Sequence, residues 1–202
     1  MAMSYTDYFV LILMTIFLIV GVFQFYFWCQ RHVFHPKYRL TIFIDSWFGY
    51  EPGWVWVYSG LYFPVIILDI FTVKDMRQYI YFALSFFILL AMQMTFFLLF
   101  PVESPAEWRK KVKGKTISEK FLRFVMKIDA DTNCFPSMHV SIATLTALHI
   151  NSNAPQLGLW VFLFPVLIGL SSLYTKRHYF LDIIPGAFLG WVAFQIYKVV
   201  YA

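Results

Sequence analysis

Five apolar runs of about twenty residues, and a sixth that is shorter, divide this chain of 202 residues. They read Tyr8–Trp28, Pro52–Thr72, Tyr79–Phe100, the short run Met138–Ile150, Gln156–Tyr174 and Tyr179–Val200. A helix needs roughly 20 residues to cross a hydrocarbon core of about 30 Å. Inside lipid the backbone must find its hydrogen-bond partners within the protein, which a helix does by itself. The pattern therefore predicts an all-α polytopic membrane bundle of six transmembrane helices, forming a single domain over residues 1–202. Charge agrees: only 13% of residues are charged, against about 25% in soluble domains. No small-residue cleavage site follows the first run, so it is expected to stay in the membrane.

The fourth run carries His139, Ser141, Thr144, Thr146 and His149. Such a segment does not face lipid easily, which places it inside the bundle. Residues 101–137 are the one long polar loop, with eight basic residues, among them Arg109, Lys110 and Lys111. Within it Thr116-Ile117-Ser118-Glu119 fits a capping box. The segment that follows sets Phe121, Leu122, Phe124 and Val125 between basic residues, predicting a short amphipathic helix on the membrane surface. The plainer reading of these lysines is a solvated loop drawn to anionic lipid. Six spans put thirteen basic residues on the side of the first, third and fifth loops and three on the other. The positive-inside rule would make that side cytoplasmic. Without the loops that hold the candidate site the count is three against three, and the side stays open.

Two polar runs sit where apolar helices begin. The first is Asn133-Cys134-Phe135-Pro136-Ser137-Met138-His139 and the second is Thr175-Lys176-Arg177-His178-Tyr179-Phe180-Leu181-Asp182. Titratable groups at a membrane boundary are costly and ask for a function. His178 and Asp182 are four apart and share a face if the helix already runs there. A carboxylate on one imidazole nitrogen fixes the tautomer and makes the other nitrogen a base or nucleophile. Alternatively the pair only locks a helix end. Pro136 suits a first helical turn, where backbone N–H groups are free to receive an anion and Ser137 adds a hydroxyl donor. The alternative there is a plain N-cap with a buried histidine. Lys176, two residues before His178, would neutralise a phosphate, while Arg177 points elsewhere if the segment is helical.

Taken together, Pro136-Ser137-Met138-His139 and, about forty residues on, Lys176, His178 and Asp182 resemble the second and third motifs of the type 2 phosphatidic acid phosphatase (PAP2) superfamily. The form Thr175-Lys176-x-His178-Tyr179-x-x-Asp182 looks like the branch containing inositol phosphorylceramide synthases. The resemblance implies that His178 attacks phosphorus, Asp182 orients it, His139 protonates the leaving alkoxide, and Ser137 with the Met138 N–H binds phosphate. It implies a lipid phosphate or phospholipid substrate among membrane lipids, with no metal, no cofactor and no nucleic-acid partner. The expected location is a bacterial-type inner membrane. Oligomeric state is left open. Three positions depart from the pattern. Met138 replaces a glycine, which adds bulk near the phosphate. Ser172 replaces an arginine, for which Lys176 is the expected stand-in. The first motif is missing, leaving Arg109, Lys110 or Lys111 to supply its charge.

Two activities fit: a lipid phosphatase, with water resolving the enzyme intermediate, or a headgroup transferase, with an alcohol doing so. A third reading is a non-catalytic protein binding anionic lipid through its loop. His149, roughly 15 Å along the helix from His139, reads as a buried hydrogen-bonded histidine. His32 and His35 read as an interfacial basic patch, Asp129, Asp131 and Asn133 as turn caps in preference to metal ligands, and Cys134 as a packing residue.

Overall fold

The computed structural model describes residues 4–32 and 34–202, and every regular element among them is helical. The helices are α1 (Tyr5–Arg31), α2 (Tyr62–Asp69), α3 (Met76–Leu99), α4 (Ala106–Lys110), α5 (Ile117–Ile128), α6 (Met138–Asn153), α7 (Leu163–Tyr174) and α8 (Phe180–Tyr201). A 3₁₀ turn at Pro52–Trp54 and a π-helical stretch at Trp56–Leu61 lead into α2, and a 3₁₀ segment at Pro155–Phe162 leads into α7. Polarity is inverted relative to a soluble bundle. Phe17, Trp160 and Val199 are more than 70% exposed, while Ser85, Gln93, Ser141, Thr146 and His149 are fully buried. That arrangement suits a molecule whose solvent is hydrocarbon.

Among the described residues five segments are long and apolar enough to cross a membrane, not the expected six: Tyr5–Arg31, Pro52–Thr72, Met76–Leu99, Pro155–Tyr174 and Phe180–Tyr201. The sixth candidate, α6, has 16 residues, short of the roughly 20 needed. It is instead the central helix, packed against α2, α3, α7 and α8. Two of its polar side chains find partners on α3: Ser141 Oγ accepts from Gln93 at 2.8 Å, and His149 shares a 2.9 Å hydrogen bond with Ser85. His149 is thus the buried, bonded histidine expected, ringed by Phe82, Phe86, Phe194 and Tyr197.

The closest packing joins α6 to α8. A Cβ on Gly186 would lie 2.6 Å from the Ser137 carbonyl oxygen, and one on Gly190 would lie 2.4 Å from that of Ser141. The two glycines are four apart, a small-xxx-small pair that lets helix backbones touch. This contact sets the start of α6 against the start of α8. The Ser137 N–H donates to the Asp182 carbonyl at 3.0 Å, so the two polar runs are bonded to each other.

The loops on this side form a cap. Residues 38 and 102 pair as an isolated bridge, and the Glu51 N–H donates to the Tyr174 carbonyl. Helix α5 is capped by Thr116, whose hydroxyl accepts from the Glu119 N–H. Its Leu122 and Met126 pack on Val55 and Val112, while Ile117, Phe124 and Ile128 remain exposed. The expected amphipathic helix therefore forms, with an apolar strip left outward. At the far end Gln78 donates to Asn153, and Asn153 to the Thr72 hydroxyl.

Candidate active site

His178 lies outside any helix, two residues before α8. The expected helical His–Asp pair is a different device. Asp182 is the third residue of α8, and its Oδ2 accepts from the Tyr179 N–H at 2.9 Å, closing the helix start. The same oxygen accepts from His178 Nδ1 at 3.3 Å. The Cys134 carbonyl lies closer to that nitrogen, at 3.0 Å. A backbone carbonyl has no proton to give, so Nδ1 must carry one and neutral His178 keeps its lone pair on Nε2. The polar run before α6 thus fixes the tautomer of the histidine before α8.

His139 is in the first turn of α6. Its ring centre is 6.0 Å from that of His178. Tyr58 stacks on it at 4.3 Å and shares a 3.1 Å hydrogen bond with its Nδ1, and Tyr62 covers it at 4.8 Å. These tyrosines come from the π-helical stretch and the start of α2. Ser137 caps α6 and is fully buried. Met138 is buried with Val22, Tyr26, Cys29, Leu90 and Phe97. Its side chain thus fills the gap toward α1 and α3, and the bulk expected near a phosphate is directed into the core.

The cations are distributed otherwise than expected. Lys176 adopts a left-handed backbone conformation, φ 58°, which turns the chain between α7 and α8. The turn is held by the Ser172 carbonyl, which accepts from the N–H groups of Arg177 and His178. It sends the two basic side chains apart. Lys176 Nζ donates to the Asp45 carbonyl at 2.9 Å, in the first loop. Arg177 turns inward, because its segment is not helical, and pairs with the Asp129 carboxylate while donating to the Ala130 carbonyl at 3.1 Å. Arg109 also turns inward and donates to the Asp129 carbonyl at 2.9 Å. Lys110 is exposed.

Asp129 is the anchor that the sequence reading assigned to capping. It also accepts from Tyr26 Oη and Gln30 Nε2, each at 2.7 Å, and so ties α1 to the loop. Burial opposes its ionisation, yet Arg177 and His139 hold its carboxyl below the usual range. Burial works against Arg177 too, but Asp129 raises it above an ordinary arginine. Burial and the neighbouring Arg177 lower Arg109. The Nε atoms of Arg109 and Arg177 are buried donors without a protein partner. Two acids ahead of the first polar run, Asp129 and Asp131, and the arginine inside the second were the signals in sequence for this pair.

Cys134, His178 and Asp182 present ligand atoms within 4.8 Å of one another. In the structure His178 Nδ1 is engaged with the Cys134 carbonyl and Asp182 Oδ2. Burial and Asp182 push the Cys134 thiol well up, and it donates to the carbonyls of Asp131 and Arg177.

The site therefore combines an imidazole with one free nitrogen, a second imidazole beside it, a helix start, the buried guanidinium of Arg177 and the half-buried one of Arg109. Such a set suits attack on phosphorus. No curated protein and no solved structure matches the chain. The family model of the PAP2 superfamily matches residues 52–196. Both histidines, Asp182, Arg177 and Asp129 fall inside that match, and the chain belongs to the PAP2 superfamily.

Proposed function

We propose that the chain is an integral-membrane lipid phosphatase acting through a phosphohistidine at His178. Family membership supports the coarse activity, a phosphatase-type reaction on a lipid phosphate. The observation carrying the finer reading is the double acceptor on His178 Nδ1, which leaves Nε2 as the nucleophile with His139 beside it. Nε2 attacks phosphorus and the bond to the lipid oxygen breaks. Protonated His139 gives the leaving alkoxide its proton. Water then attacks the phosphohistidine, His139 takes the proton back, and the phosphorus–nitrogen bond breaks to release phosphate. The Ser137 hydroxyl and the Met138 N–H at the start of α6 receive phosphate oxygens. The unpartnered Nε groups of Arg177 and Arg109 supply positive charge.

The topology proposed is six crossings, with α6 as a short, shielded one and α5 lying at the interface on its exposed strip. Purified protein in detergent should release phosphate from a phosphatidate or polyprenyl phosphate in the presence of a chelator, and vanadate should inhibit it. His178→Ala should lower kcat by at least about 10³-fold. Wild-type rates in that variant would end this reading.

A second reading is headgroup transfer, in which a lipid or sugar hydroxyl replaces water. The Thr175-Lys176-x-His178-Tyr179-x-x-Asp182 form favours it. Incubation with a phospholipid and an alcohol acceptor separates the two: a new phosphodiester lipid with little free phosphate supports transfer.

A further inference from the structure

The two histidines of the site are held by different kinds of partner. At His178 the Cys134 carbonyl and Asp182 Oδ2 accept from Nδ1, so Nε2 keeps the lone pair. At His139 the partner of Nδ1 is a hydroxyl, Tyr58 Oη at 3.1 Å. A hydroxyl can give or take, and the surroundings decide the direction. Tyr58 is fully buried, with its ring centre 4.3 Å from that of His139. Among the described residues His139 Nδ1 is the one acceptor bonded to that hydroxyl. The neighbouring cation is Arg177, with Asp129 paired to it, and a guanidinium offers donors only. A proton on Nδ1 would leave the Tyr58 hydrogen buried without an acceptor, which is costly. The hydroxyl therefore donates, and neutral His139 carries its proton on Nε2. The pair is set in opposite tautomers, a lone pair on Nε2 of His178 and a proton on Nε2 of His139.

We infer that Tyr58 is a positioning residue for proton transfer by His139, a role that rests on the phosphatase reading and deepens it. The Nε2 lone pair of His178 forms the nitrogen–phosphorus bond, and the electron pair of the breaking phosphorus–oxygen bond goes to the lipid oxygen. His139 Nε2 gives that oxygen its proton while Nδ1 takes the proton of Tyr58. His139 passes into its other tautomer without net charge, and the negative charge rests on the Tyr58 oxygen beside Arg177. When water attacks the phosphohistidine, Nε2 takes a proton from the water and Nδ1 returns the other to Tyr58. The π-helical stretch at Trp56–Leu61 places the hydroxyl for this exchange, a local geometry that recurs at functional sites.

The test compares the wild-type full chain in detergent with Tyr58→Phe, which keeps the stacked ring and removes the hydroxyl. First-turnover release is measured from dodecyl phosphate, whose alkoxide needs a proton to leave, and from para-nitrophenyl phosphate, whose phenolate does not. The alkyl rate should fall about 10²-fold and the nitrophenyl rate by less than about threefold, with the half-saturating concentration of the alkyl ester unchanged. Equal losses on the two esters, or no loss on either, would overturn the inference. ¹⁵N spectra of the resting protein read the tautomer without substrate. The His139 signal, identified by its loss in His139→Gln, should show the proton on Nε2 in the wild type and a shift toward Nδ1 in Tyr58→Phe. A proton on Nδ1 in the wild type would also overturn the inference. Release of both products at wild-type rates by His178→Ala would count against the phosphohistidine reading instead, and would leave the tautomer result standing.

Discussion

At His178 the reactive atom is selected by what surrounds the other ring nitrogen. Cys134 O and Asp182 Oδ2 both accept from Nδ1, so Asp182→Asn should weaken the tautomer preference without emptying the site. Its kcat should fall by about 10² to 10⁴ in a phosphate-release assay, with circular dichroism unchanged. The Arg177–Asp129 pair is a different kind of residue-level constraint, a buried ion pair that joins two loops. Asp129→Asn leaves Arg177 uncompensated and should cost about 3–5 kcal/mol of stability near neutrality. The folded carboxyl titrates below the roughly 3.9 of an unfolded chain. Its contribution is therefore complete above about pH 4 and lost as pH falls through the folded value. The variant's stability deficit, followed by denaturant unfolding, should shrink on acidification. His178, Asp182, His139 and Ser137 were legible as residues that apolar helices do not need. Arg177 was not, because its direction depends on the left-handed backbone of Lys176, which no residue type in that turn announces.

At the scale of elements, the contact between α6 and α8 builds the site. Gly186 faces the Ser137 carbonyl so closely that an added methyl must push the start of α6 away. Gly186→Ala should cost about 1–3 kcal/mol and also lower kcat, because the Ser137 N–H to Asp182 bond lies at the same place. Normal activity in that variant would separate the packing from the chemistry. Apolar runs made α1, α3 and α8 readable from sequence, since length and hydropathy decide such helices. The π-helical entry to α2 was not readable: Pro52–Thr72 looks continuous, yet its first half is wound to bring Tyr58 over His139. α6 was readable as a shielded helix from its polar content, though its 16 residues leave five long spans instead of six.

At the scale of the whole molecule, the first loop, the residue 101–137 loop and the turn before α8 meet at one end, and the turns near Lys74 and Ala154 lie at the other. Single cysteines at the exposed positions Lys115 and Lys74 should therefore react with a membrane-impermeant reagent from opposite faces of sealed vesicles. Reaction of both from one face would contradict the six-crossing topology. The central claim is that His178 carries the phosphoryl group during turnover. Rapid acid-free quenching of a reaction with ³²P-labelled lipid phosphate tests it directly. The account predicts protein-bound label that is stable to base, lost in acid, mapped to the His178 peptide and missing from His178→Ala. A wild-type enzyme that turns over without trapped label, or label that persists in His178→Ala, would contradict it.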